Sequence, residues 1–173
     1  SVKTIGGSAF EGCTALKRAV IGGNVSSMGA SLFANCKALT DVTVNEGCMV
    51  ISSFAFSGCA GIKEINIPGT VLSVHVGAFT NCTSLESVIL NEGTLYIGTS
   101  NSSSGTFENC TKLKSIKLPS TVLKMYGSTF SGCTMLEKAE LNEGLESFEY
   151  WAFHNCTNLV EIVIPNSVKT IGG

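Results

Sequence analysis

The chain has 173 residues, 11 basic and 13 acidic, and its net charge of −2 argues against a nucleic-acid partner, which would demand a basic stripe to neutralise phosphates. No apolar run approaches the ~18 residues of a membrane span, so direct membrane insertion is not expected. Hydrophobic residues make up 44% and charged residues 14%, which fits one folded, apolar-cored domain over 1–173.

The organising pattern is Phe-x-x-Cys-x-x-(Leu/Ile), with cysteines at Cys13, Cys36, Cys59, Cys82, Cys110, Cys133 and Cys156, spaced by 23, 23, 23, 28, 23 and 23 residues. Phe10, Phe33, Phe56, Phe79, Phe107, Phe130 and Phe153 stand three residues before them. A fixed period in the twenties means a solenoid, in which each rung buries its apolar face against its neighbours. The eight cysteines therefore read as small buried thiols of a core column rather than as a disulfide framework or a metal site.

Each rung opens on Phe-x-(Gly/Asn), with Ala before the Phe at Ala9, Ala55, Ala78 and Ala152, and the residue before each cysteine is Gly12, Asn35, Gly58, Asn81, Asn109, Gly132 or Asn155. Those two residue types enter the left-handed region cheaply, so this stretch is expected to be one helical turn stopped by that residue. After each cysteine, apolar residues alternate with polar ones, as in Ile65-Asn66-Ile67, which predicts a short strand with one buried face. Seven such strands stack into a parallel sheet. The strands end alternately in Asn-Glu-Gly (45–47, 91–93, 142–144) and in Pro-x-(Thr/Ser) (68–70, 119–121, 165–167), so the true unit is a pair of rungs. A second apolar pair, such as Val71 and Val74, then predicts an extended segment on the opposite wall.

Two places break the period. Residues 98–105 carry the five residues of the long interval and are expected to form a polar loop. Tyr150 and Trp151 are aromatic where other rungs have small residues, and read either as binding anchors or as local packing over Phe148. Ser1–Gly7 repeats Ser167–Gly173, and with Ser1 falling inside a repeat the chain reads as a fragment of a longer array that associates head to tail.

No catalytic, cofactor or metal constellation emerges. His75 and His154 lie more than three rungs apart, and phosphate-loop and CxxC spacings are lacking. Asn24 and Asn101 are the plausible glycan acceptors. The outward strand positions alternate in sign along the array, through Arg18, Asp41, Glu64, Lys117, Lys138 and Glu140. They serve either as cross-strand charge pairs that keep the sheet in register or, with Tyr150 and Trp151, as a protein-binding surface.

Ile51 to Val71, and again Val74 to Val122 around the insertion, follow Ile-Gly-x-x-Ala-Phe-x-x-Cys-x-x-Leu-x-x-Ile-x-Ile-Pro-x-x-Val. This resembles the BspA-like, or Treponema pallidum-type, leucine-rich repeats, with Thr106 and Thr129 departing from the usual Ala. The resemblance implies a right-handed solenoid on the surface of bacteria or protozoan parasites. It further implies a non-enzymatic module, without cofactor, that adheres to host or matrix proteins or to neighbouring cells. A structural spacer in a long surface protein and an intracellular scaffold are the alternatives.

Overall fold

The computed structural model describes residues 2–99 and 104–172. Its thirteen strands, in chain order, are β1 (Arg18–Ile21), β2 (Asp41–Val44), β3 (Val50–Ile51), β4 (Glu64–Ile67), β5 (Ser73–Val74), β6 (Ser87–Leu90), β7 (Tyr96–Ile97), β8 (Ser115–Lys117), β9 (Lys124–Met125), β10 (Lys138–Glu140), β11 (Ser147–Phe148), β12 (Glu161–Ile162) and β13 (Thr170–Ile171). Every strand pair is parallel, as a coil returning in the same direction each turn requires. One wall is an unbroken six-stranded sheet, β3-β5-β7-β9-β11-β13, formed by the second apolar pair of each rung. The facing wall holds the longer strands, whose burial alternates as the sequence pattern requires.

The longer wall is divided into β1-β2, β4-β6 and β8-β10-β12, and the alternating corners explain where. Asn45 donates both its backbone N–H and its side-chain amide to the carbonyl of Ile21, at 3.1 and 2.9 Å. Asn91 does the same to Ile67, again at 3.1 and 2.9 Å. One rung further on the equivalent residue is Pro68 or Pro119, which has no N–H to give. The ladder lapses at those two junctions, β2/β4 and β6/β8. There the corner takes over. Gly93 N–H donates to Thr121 Oγ1, and the Thr121 hydroxyl donates to the carbonyl of Thr94, each at 2.9 Å. Gly47, Thr70 and Cys48 repeat the arrangement. Gly93 is required here: its φ is +118°, and a Cβ would lie 2.0 Å from the carbonyl oxygen of Gly69.

The expected helical turn is absent among the described residues. The left-handed stop is present in all seven rungs, with φ between 57° and 73° at the residue before each cysteine. A second left-handed residue, however, sits two places before Phe: Ser8, Ser31, Phe54, Gly77, Ser128 and Trp151. With left-handed residues at both ends, the segment cannot wind. Its N–H groups instead reach the next rung, as from Phe56 to Ala78 (2.8 Å) and from Gly58 to Thr80 (2.8 Å).

The core is built of columns. The seven Phe rings stack in one file, centroids 5.3–5.5 Å apart and planes within 17° of parallel. Phe56, Phe79, Phe107 and Phe130 are fully buried. All eight cysteines are free thiols, and the five from Cys36 to Cys133 in the Phe-x-x-Cys file are buried, as is Cys48. Cys13 is exposed and Cys156 half-buried, because the outermost rungs have a neighbour on one side only. Exposure of Phe10, Ile164 and Ile171 at the same rungs has the same cause. Of residues 98–105, those numbered 100–103 lie outside the described residues, and so does the acceptor Asn101.

Candidate interaction surface

The outward positions of the longer wall form two rows. The first runs Arg18, Asp41, Glu64, Ser87, Ser115, Lys138, Glu161, and the second Val20, Thr43, Asn66, Ile89, Lys117, Glu140, Val163. Charges cluster toward the two ends. Arg18 and Asp41 are register partners and form an ion pair at 2.9 Å. Lys117 and Glu140, also register partners, approach to 3.7 Å, while Lys138 reaches the same carboxylate at 2.6 Å. The two lysines hold the Glu140 carboxyl below its usual range, Lys138 most of all through its hydrogen bond. These pairs are exposed and contribute little stability each, so their role is register and surface character. No ion pair of Glu64 is found among the described residues; it faces Ser87 across the ladder.

On this wall a groove of about 530 Å³ reaches from β6, whose outward residues are uncharged, to the Lys117–Glu140 pair. It opens where the β6/β8 ladder lapses. Its sides are Val88–Leu90 on one flank and Lys117 and Leu118 on the other, with Glu140 beyond. Ile89 projects into solvent here at 55% exposure, an apolar side chain with no core to enter. The groove ends at the corner, where Glu92 accepts hydrogen bonds from Ser120 N–H (3.0 Å) and from its hydroxyl (2.8 Å). Those bonds, the backbone one first, lower the Glu92 pKa and keep the carboxylate charged.

The structure thus brings Lys117, Lys138 and Glu140 together at the groove and leaves Arg18, Asp41 and Glu64 further along the same wall. Tyr150 and Trp151 belong to another surface, the turn that follows β11. Tyr150 leans back over Gly127, where a Cβ would meet its ring at 3.1 Å, and Trp151 stands edge-on to it at 5.5 Å. Ile89 was not singled out by sequence reasoning. The signal was an apolar residue at an outward position, visible once the strand phase is known.

Both histidines are unsuited to acting as a pair. His75 is half-buried, with burial lowering its pKa, and bonds Ser73 Oγ at 3.2 Å. No group of three metal-ligating side chains occurs among the described residues.

Comparison with known proteins agrees with this architecture. The crystal structure of a leucine-rich repeat protein from Bacteroides ovatus superposes with a TM-score of 0.71 at 29% identity, over 99% of this chain and 49% of that one. A leucine-rich cell surface protein from Faecalibacterium prausnitzii gives 0.66 at 25% identity, over 91% of this chain and 50% of that one. The leucine-rich repeat protein of T. pallidum gives 0.65 at 24% identity, over 99% and 67%. The chain spans about half the length of the first two. No curated protein sequence matches it significantly. The BspA type leucine-rich repeat region matches in six copies over residues 3–104 and 99–173, which is the whole solenoid just described, and the chain belongs to that family.

Proposed function

We propose that this chain is a non-enzymatic protein-interaction module of an extracellular or cell-surface protein, adhering to a host, matrix or neighbouring-cell protein through its longer strand wall. The observation that carries the proposal is the groove between β6 and β8, where an exposed Ile89 lies beside the Lys117–Glu140–Lys138 cluster. An apolar anchor ringed by polar groups is the usual composition of a protein contact. At its floor the ladder lapses, and among the described residues no backbone hydrogen bond joins β6 to β8. The cell-surface description of the F. prausnitzii relative supports the location.

The test is saturable binding of the purified chain to a panel of soluble extracellular-matrix proteins by biolayer interferometry. The proposal expects at least one saturable interaction. A spacer, the alternative role for the same fold, gives none.

A further inference from the structure

We propose that the turn surface of the last three rungs holds a binding site for a neutral saccharide, stacked by the C–H face of one pyranose ring on the indole of Trp151. The site is a shallow pocket of about 310 Å³, on the turn surface rather than the strand-wall groove.

The pocket originates in one missing side chain. The residue before each cysteine forms a file along the turn, which reads Asn109, Gly132, Asn155 in these rungs. A Cβ on Gly132 would lie 2.3 Å from Oδ1 of Asn109, so glycine leaves the file without a side chain between two amides, and the Asn109 amide leans into the space the Cβ would take. Trp151 closes one side of the gap. Its ring is 60% exposed, held edge-on by Tyr150 and in contact with the His154 imidazole at 6.0 Å. Its backbone is left-handed, φ 59°, a conformation that a bulky side chain rarely adopts. On the other side stand Glu108, fixed by a 3.0 Å hydrogen bond from Gly105 N–H to its carboxylate, and Ser131. Ser128 also lines the pocket, and its hydroxyl, fully buried, is the buried side-chain oxygen without a hydrogen-bond partner among the described residues. An orphaned buried hydroxyl is rare enough to require an explanation.

The same gap occurs once more along the file, at Gly58 between Asn35 and Asn81, and provides an internal comparison. There the positions of Glu108, Ser128, Trp151 and His154 are held by Ala34, Phe54, Gly77 and Thr80. Phe54 folds over Gly77, where a Cβ would come within 2.2 Å of its ring, so an aromatic ring covers the turn surface here instead of standing beside it. Glycine alone therefore does not make the site. The rungs that carry it have in addition an aromatic platform, a carboxylate, an imidazole and a hydroxyl.

The chemistry selects the ligand. An exposed indole offers an electron-rich face to polarised C–H bonds, and carboxylate, amide and hydroxyl groups around it suit the paired hydroxyls of a sugar. No lysine or arginine lines the pocket, so phosphate, sulfate and carboxylate ligands are disfavoured. A single aromatic ring does not enclose a quaternary ammonium, which calls for a cage.

Trp151 is the single tryptophan in the chain, so its fluorescence reports on the site directly. Titration with N-acetylglucosamine, galactose, mannose, chitotriose and cellotriose, paralleled by ligand-observed saturation-transfer NMR, should give a saturable emission change for at least one sugar. Gly132→Asn keeps both the reporter and the residue type that other rungs hold in this left-handed position, and should weaken that binding at least tenfold with the thermal midpoint little changed. Trp151→Ala should abolish the saturation-transfer signal. The inference is overturned if no sugar saturates the signal up to about 50 mM, or if both variants bind as the parent does. It is overturned equally if tetramethylammonium displaces or outbinds every sugar.

Discussion

The thiol of Cys82 donates to the carbonyl oxygen of Phe56, one rung back, at 3.2 Å. Every rung from the second onward repeats the relationship, from Cys36–Phe10 to Cys156–Phe130, at 3.1–3.2 Å. It accounts for Phe and Cys recurring together, because the ring stacks on its neighbour while the sulfur ties the two turns. Cys82→Ala removes a weak donor and leaves a small void, and should cost about 1–2.5 kcal/mol in urea unfolding. A loss under ~0.5 kcal/mol would mean that the sulfur file merely fills space.

Thiol reactivity follows the same geometry. Burial pushes the Cys59 thiol up to about 12, and drives Cys82, Cys110 and Cys133 upward as well. Ellman's reagent on the native protein at pH 8 should therefore find one fast thiol, exposed Cys13, with Cys156 slower and the rest silent until unfolding. Several fast thiols, or disulfides by mass spectrometry, would contradict the buried file.

Those raised values also fix an alkaline limit. The folded state keeps the protons that the unfolded chain releases near pH 8.5, so the stabilisation is complete below that pH and declines as pH rises toward the folded-state values. Each fully buried thiol contributes about 1.4 kcal/mol per pH unit in that window. Thermal midpoints should fall steeply from pH 9 to pH 11, and less steeply in a Cys59→Ala/Cys82→Ala double variant. A flat profile would show that the thiols ionise as readily folded as unfolded.

The ring file should be the strongest single element. Phe56 and Phe79 are wholly buried between stacked neighbours, and either change to Ala should destabilise by ~3–5 kcal/mol in denaturant melts. A cost under ~1 kcal/mol would remove the column from the core.

At the corner, Gly93→Ala meets both a left-handed backbone and the Gly69 carbonyl, and should cost about 3 kcal/mol. Thr121→Val loses two hydrogen bonds and should cost about 1–2 kcal/mol. Equal effects would undermine the steric requirement for glycine.

Periodicity made the columns legible before any coordinates: Phe56, Cys82, Ile65 and Val74 are buried where the repeat puts them. The left-handed stop at Asn81 was legible too, since asparagine announces that conformation. The second one was not. Ser31, Phe54 and Trp151 carry no such signal, because neighbouring rungs impose it through hydrogen bonds between turns, and a helical turn was expected in its place. Alternation of Asn45 and Pro68 was visible, yet its consequence, a ladder broken at the strands that run into Pro68 and Pro119, needed the register. The two proposed binding surfaces depend on residues a rung or more apart, such as Ile89 with Lys117 and Trp151 with Glu108, and a one-dimensional repeat does not say which neighbours are exposed.

Protein binding by the longer strand wall is the proposal on which the others turn. Its most direct test is equilibrium binding of one matrix-protein ligand to the parent chain and to Ile89→Lys, Lys117→Glu and Trp151→Ala, each checked for an unchanged circular dichroism spectrum. Binding should be at least tenfold weaker for Ile89→Lys and Lys117→Glu, with Trp151→Ala binding as the parent does. Unchanged affinity in both wall variants, or loss confined to Trp151→Ala, would contradict it.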